Sequence, residues 1–181
     1  MKGCIKLAFM LIYICVITVP MYAYDSKHSL GFGLHYFYIL EDISEDWEFH
    51  DDGLGFYGAY CFNFASFAGV QFEIQAYPDG YFDAESAYSP GVLLLLGRGV
   101  YGGIGAYSQY MKWDDTSKEI KRVDGEWTDI SFLIRAGLML PILFDTLNLD
   151  IHAQYNMNSW SEIELFDHEF LTFGAGIRVQ L

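Results

Sequence analysis

The stretch LNLDIHAQYN, Leu147 to Asn156, alternates without a break: Leu147, Leu149, Ile151, Ala153 and Tyr155 share one face, and Asn148, Asp150, His152, Gln154 and Asn156 the other. A two-residue period belongs to a β-strand with one polar and one apolar face. The same pattern serves a soluble sheet with its apolar face turned inward and a membrane barrel with that face turned to lipid. The rest of the chain has to decide between them.

Seven further segments follow, and all but Gly91–Leu96 pass the same test,. They are Ser29–Leu40, Leu54–Asn63, Phe67–Tyr77, Gly91–Leu96, Val100–Trp113, Trp127–Leu140 and Phe170–Leu181. Val92–Leu96 is apolar throughout and suits a buried strand or a short helix equally, so only its glycine-bounded length and its position favour strand. The connections alternate between very short turns, such as Gly97-Arg98-Gly99, and the long polar segments Glu41–Gly53, Pro78–Pro90, Asp114–Glu126 and Met157–Glu169. Eight strands form a meander that can close on itself without leaving an exposed edge. The four long connections then emerge at one end, and they carry 19 of the 24 acidic residues.

The polar face decides the orientation. It carries Gly31, Gly33, Gly69, Gly103, Gly105, Gly137, Gly174 and Gly176. Glycine on a solvent-facing strand surface weakens the strand without return, whereas a narrow eight-stranded interior needs small residues beside its few large ones. The polar face is therefore read as the lumen and the bulkier apolar face as lipid-facing. Tyr36, Tyr38, Tyr110, Trp113, Trp127 and Tyr155 lie near the loop-bearing strand ends, where an interfacial aromatic girdle is expected.

The N-terminus agrees with an exported chain. Lys2 and Lys6 precede the apolar run Leu7–Val19, and Met21-Tyr22-Ala23 ends on a small residue, the layout of a signal peptide over residues 1–23,. The expected barrel domain is 24–181, with 8 Lys+Arg against 24 Asp+Glu and a formal charge of −16. Such a surface excludes nucleic acid as a partner. Only Cys61 lies outside the signal-like segment, so no intramolecular disulfide is expected there.

Together these features resemble the small bacterial outer-membrane barrels typified by the OmpA transmembrane domain, the OmpX and opacity-protein group, and the OmpW group. The last strand carries the one local motif, since Gly176 followed by Val179 and Leu181 is similar to the signal read by the barrel-assembly machinery. That family usually ends in Phe or Trp, and Leu181 departs from it. The resemblance implies an all-β, eight-stranded up-and-down transmembrane barrel in the outer membrane, with outer-membrane lipid and the assembly machinery as partners.

Charges inside a narrow lumen must be paired or hydrated. Counting residues from the short turns places Glu73 and Arg135 about midway up, and Asp150 and Arg178 lower on neighbouring strands, so a Glu73–Arg135 and an Asp150–Arg178 interaction are expected. These pairs are read as filling rather than gating. His35, His152 and Gln154 join them as lumen polar residues, and no spacing of ligands indicates a metal or other cofactor. The stretch EDISEDWEFHDDG offers Asp42, Ser44 and Asp46 at calcium-loop spacing. Trp47 replaces the required Gly and Gly53 the required Glu, so the motif fails.

Three function classes follow. The long acidic loops favour a non-enzymatic surface barrel, structural or adhesive, whose loops meet host or other cell-surface molecules. The OmpW resemblance implies the alternative, a narrow channel for small or hydrophobic solutes. A lipid A-modifying barrel enzyme ranks third, because the only His-Ser neighbours, His28-Ser29, stand at the short-turn end and align with no orienting acid.

Overall fold

The structure is a computed structural model that describes residues 27–40, 52–78, 86–112, 126–128, 130–143, 146–157 and 169–181. The signal-like segment 1–23, Trp113 and the calcium-loop-like residues 41–51 lie outside these. Ten strands follow in chain order: β1 (His28–Ile39), β2 (Asp52–Ala65), β3 (Ala68–Tyr77), β4 (Ser86–Gly97), β5 (Val100–Tyr107), β6 (Tyr110–Lys112), β7 (Glu126–Trp127), β8 (Ser131–Leu143), β9 (Leu147–Met157) and β10 (Phe170–Gln180).

The short strands β6 and β7 continue the staves begun by β5 and β8, with β6 paired to both β4 and β7. Eight antiparallel staves result, and the β3–β4 and β1–β10 pairings join them into a closed ring. Closure leaves no long unpaired edge, which in hydrocarbon would expose unsatisfied backbone groups. At the tight turn from β4 to β5, Gly97 takes φ +113°, a conformation that side chains with a Cβ rarely adopt. Its amide donates to the Phe67 carbonyl at 2.8 Å, which ties this turn to the one between β2 and β3.

Two stave boundaries differ from the sequence reading, both at prolines. β4 begins at Ser86 and runs through Pro90, inside the segment read as a long loop. Pro90 faces outward opposite Ile74, at the height where the neighbouring stave breaks between Tyr107 and Tyr110, so its missing N–H falls where the ladder is already interrupted,. The Ser108 amide still donates to the Pro90 carbonyl at 3.2 Å. β8 likewise continues past Leu140 through Pro141 to Leu143, with a register shift between Pro141 and Leu143 that accommodates the proline,. The fifth stave, read as unbroken from Val100, is interrupted at Ser108–Gln109.

The side-chain distribution is inside-out. Phe32 is 56% exposed, Ile104 61% and Phe173 52%, whereas Arg135 is 1% exposed and Arg178 2%. Along the described strands the outward positions hold no charged residue except Asp52 and Lys112, both at loop-side ends. A wall of this kind is stable against acyl chains and not against water. Leu147, Leu149, Ile151 and Tyr155 therefore belong to the lipid-facing wall, and Asp150, His152 and Gln154 to the interior.

Candidate functional site

The interior is built around Glu73 on β3 and Arg135 on β8. Arg135 Nη1 donates to Glu73 Oε2 at 2.7 Å and Nη2 to Oε1 at 2.6 Å. Gln71 Nε2 and Gln75 Nε2 reach the same carboxylate at 2.6 and 2.7 Å. Because residues 71, 73 and 75 share one face of β3, the strand period delivers both amides to Glu73. Four donors saturate the carboxylate, as a buried charge requires.

Gln71 also accepts from Arg178 Nη2 at 2.6 Å, and that nitrogen donates to Asp150 Oδ2 at 2.8 Å. Tyr101 OH reaches Asp150 Oδ1 at 2.6 Å, and His152 Nδ1 lies 3.4 Å from the same oxygen. His152 Nε2 in turn meets His35 Nε2 at 3.1 Å, while the His35 ring stacks on Tyr57 with centroids 4.5 Å apart. A hydrogen bond between two imidazoles needs one donor and one acceptor, so at least one ring is neutral. On the other side of Arg135, its Nε donates to Gln154 Oε1 at 3.0 Å, Gln154 to Asn156 Oδ1 at 2.5 Å, and Asn156 to Thr172 Oγ1 at 3.0 Å. The two ion pairs thus form one network joined through Gln71. Among the described residues no group of three or more His, Cys, Asp or Glu is placed to hold a metal ion.

Glycine makes room for this network. A Cβ on Gly174 would stand 2.8 Å from His35 Cδ2 and closer still to the His152 ring. One on Gly137 would stand 2.6 Å from the Tyr101 hydroxyl.

Above the Glu73–Arg135 bridge, toward the long loops, a layer of apolar side chains enters the lumen. Phe37, Ile39, Tyr77, Met111, Leu133 and Phe170 point inward and are buried. The sequence reading missed this plug because it took the lumen face as polar throughout. Its signal is the local loss of alternation: Tyr36-Phe37-Tyr38-Ile39-Leu40 is apolar on both faces, as is Phe132-Leu133-Ile134.

Tyr36, Tyr38, Tyr110, Trp127 and Tyr155 stand on the outer wall near the loop-side rim. The Tyr36 hydroxyl donates to Asp52, that of Tyr155 donates to Glu169, and Tyr110 packs on Trp127 with centroids 5.3 Å apart. Tyr88 joins this rim, having been hidden in a segment read as loop. A second set the sequence reading omitted, Tyr60, Phe62, Phe64 and Phe67, lies at the short-turn end. There His28 Nδ1 pairs with Tyr60 OH at 2.7 Å on the outer wall, whereas Ser29 is buried inside the barrel. The two residues lie on opposite faces and cannot act on one substrate group. In β10, Gly176 faces inward and Val179 outward, and the Leu181 amide donates to the His28 carbonyl at 2.9 Å.

An apolar outer wall, an ion-paired polar interior and closure of the ring define a small eight-stranded transmembrane β-barrel of the outer-membrane type. No family model and no curated protein matches the chain. Solved structures do. Neisserial surface protein A matches with a TM-score of 0.57 at 13% identity, covering 86% of this chain and 98% of that one. The attachment invasion locus protein Ail of Yersinia pestis matches with 0.56 at 16% identity over 87% and 99% of the two chains. The outer membrane protein OprG of Pseudomonas aeruginosa matches with 0.52 at 13% identity over 86% and 96%. Ail has also been solved in complex with the heparin analogue sucrose octasulfate. At these identities the likeness is one of fold.

Proposed function

We propose that this chain is a non-conducting, non-enzymatic barrel of the bacterial outer membrane, exported with loss of residues 1–23 and acting at the cell surface through its long acidic loops. The observation that carries the reading is the filled interior. The bridge between Arg135 and Glu73 crosses the lumen at 2.6–2.7 Å, and the apolar layer of Phe37, Tyr77, Met111 and Phe170 lies above it. A hydrated ion would have to displace both. With conduction obstructed, the long acidic loops are the part of the molecule left to meet a partner.

Charge narrows the class of partner. The four long connections carry 19 acidic residues, and within them the only Lys or Arg are Lys118, Lys121 and Arg122. A polysulfated ligand such as the heparin analogue seen with Ail meets repulsion here, and a basic protein surface on a host or neighbouring cell meets attraction. Tyr36, Tyr38, Tyr110, Trp127 and Tyr155 at the loop-side rim, joined by Tyr88, serve in this reading as the outer interfacial girdle, and Gly176, Val179 and Leu181 as the segment engaged during insertion.

Planar-bilayer recording tests the proposal directly. The purified barrel, shown to be folded by heat-modifiable gel migration, is expected to leave the bilayer without single-channel steps. Regular conductance steps would replace this reading with the narrow-channel one. Cell-binding assays with the acids of 41–53 replaced by amides test the loop assignment, and undiminished binding refutes it.

A further inference from the structure

The hydrogen bond between His35 and His152 spans the strand that closes the ring. His35 on β1 is in register with Gly174 on β10, and Gly174 with His152 on β9, so β10 passes between the two histidines at a residue without a side chain. Over that gap the two Nε2 atoms stand 3.1 Å apart. We propose that this pair is an acid-sensitive clasp, which fastens β1 to β9 across the closing seam while both imidazoles are neutral and lets go when a proton is added.

The hydrogen bonds fix where each proton sits. A carboxylate only accepts, so His152 Nδ1, 3.4 Å from Asp150 Oδ1, carries a proton,. The Nε2 of that neutral ring is then bare and accepts from the Nε2–H of His35,. His35 Nδ1 is left as the bare nitrogen of its own ring, and it is buried with no hydrogen-bond partner.

A further proton has two places to go, and neither suits the folded barrel. On His152 Nε2 it sets two N–H groups against each other across the 3.1 Å gap and breaks the clasp. On His35 Nδ1 it creates a buried donor with nothing to receive it,. Charge balance opposes both. The titratable and charged groups around the pair are Tyr57 on β2, Glu73 on β3, Tyr101 on β5, Arg135 on β8, Asp150 on β9 and Arg178 on β10. The two carboxylates are already matched by the two guanidiniums, Glu73 by Arg135 and Asp150 by Arg178. An imidazolium adds a positive charge with no anion left over for it, at residues only 0% and 3% exposed,. The unfolded chain has no such restriction, and its imidazoles take up protons below about pH 6.5. Stability contributed by the neutral pair is therefore complete above that value and lost as the pH falls through it.

The test is urea unfolding of the full barrel in lipid vesicles at about pH 7.5 and about pH 5.5, on either side of the ordinary imidazole range. At the lower pH each imidazole that takes a proton only on unfolding raises the unfolding equilibrium constant by about tenfold, so the pair gives up to about a hundredfold. His35→Gln combined with His152→Gln should remove that factor, while His28, His50 and His168 stay in both chains and cancel. An acid response equal in the wild type and the double variant overturns the proposal. Nitrogen-15 NMR of the histidine rings in the folded wild-type barrel gives a second answer that depends on no variant. At about pH 6 His35 should carry its proton on Nε2 and His152 on Nδ1, with the other nitrogen of each ring bare. Either ring found protonated on both nitrogens in that folded state overturns the proposal as well.

Discussion

Arg135 and Glu73, 62 residues apart in sequence, meet through two parallel hydrogen bonds of 2.6 and 2.7 Å in the middle of the barrel. Neither side chain has access to water, and the carboxylate takes two further donors from its own strand. Removing the cation leaves a buried carboxylate with only amide donors. Arg135→Ala should therefore lower stability by about 3–5 kcal/mol. The check is the temperature at which the folded gel band converts to the unfolded one in detergent. Glu73→Gln combined with Arg135→Ala should cost less than the two single changes added together, by roughly 0.5–3 kcal/mol of coupling. Strict additivity would remove the pairing as a source of stability.

Gly174→Ala tests the packing of the imidazole pair. Its methyl group would enter the space held by the His152 and His35 rings, neither of which can retreat without losing the contact at 3.1 Å. A cost of about 1–3 kcal/mol is expected from overpacking. Adding His35→Ala to the same chain should return part of it. A barrel melting at the wild-type temperature after Gly174→Ala would show that the rings have room to move.

Trp127, 60% exposed on the outer wall, reports on the interface. In vesicles, its fluorescence should be quenched more strongly by lipids brominated near the headgroup than by those brominated near the acyl terminus. The comparison uses a chain in which Trp47, Trp113 and Trp160 are replaced by Phe. Equal quenching at both depths would remove Trp127 from the interfacial girdle.

The two layers that fill the lumen can be separated. Replacing Phe37 and Phe170 by Ala opens the apolar layer but leaves the bridge between Arg135 and Glu73 in place. The folded double variant should remain silent in planar bilayers and lose stability, at about 3–5 kcal/mol for each buried aromatic removed. Conductance in this variant would assign the barrier to the plug alone.

The staves were most legible where each residue meets one environment only. β9 and the short-turn halves of β1 and β10 alternate cleanly because lipid and the polar part of the lumen sort side chains at every step. β4 was harder to read, since Leu93 and Leu95 are buried inside the lumen while Val92, Leu94 and Leu96 face out, so both faces are apolar. Proline misled twice, at Pro90 and Pro141, because the ladder break and bulge that tolerate it exist only once strands are paired. Period alone placed Glu73, Arg135, Asp150 and Arg178 on the lumen face. The role of Gln71 as the link between two ion pairs depends on the relative heights of β3 and β10 on opposite sides of β1 and β2. Those heights are a property of the closed ring, to which residue spacing within one strand is a poor guide. The aromatic plug was missed because a uniformly polar lumen was assumed.

Closing the ring by pairing β1 with β10, from Ser29 opposite Gln180 to Ile39 opposite Phe170, has a temporal side. β1 is made before its second neighbour β10, and more than a hundred residues separate the two, so one flank of β1 must wait through the synthesis of all of them. During that wait β1 and whichever stave is newest both present open flanks, in a chain already rich in apolar side chains. Folding stave by stave from the N-terminus therefore cannot finish the molecule. The seam can be drawn shut only once β10 is at hand, and until then the two open flanks are the places where another chain could pair,.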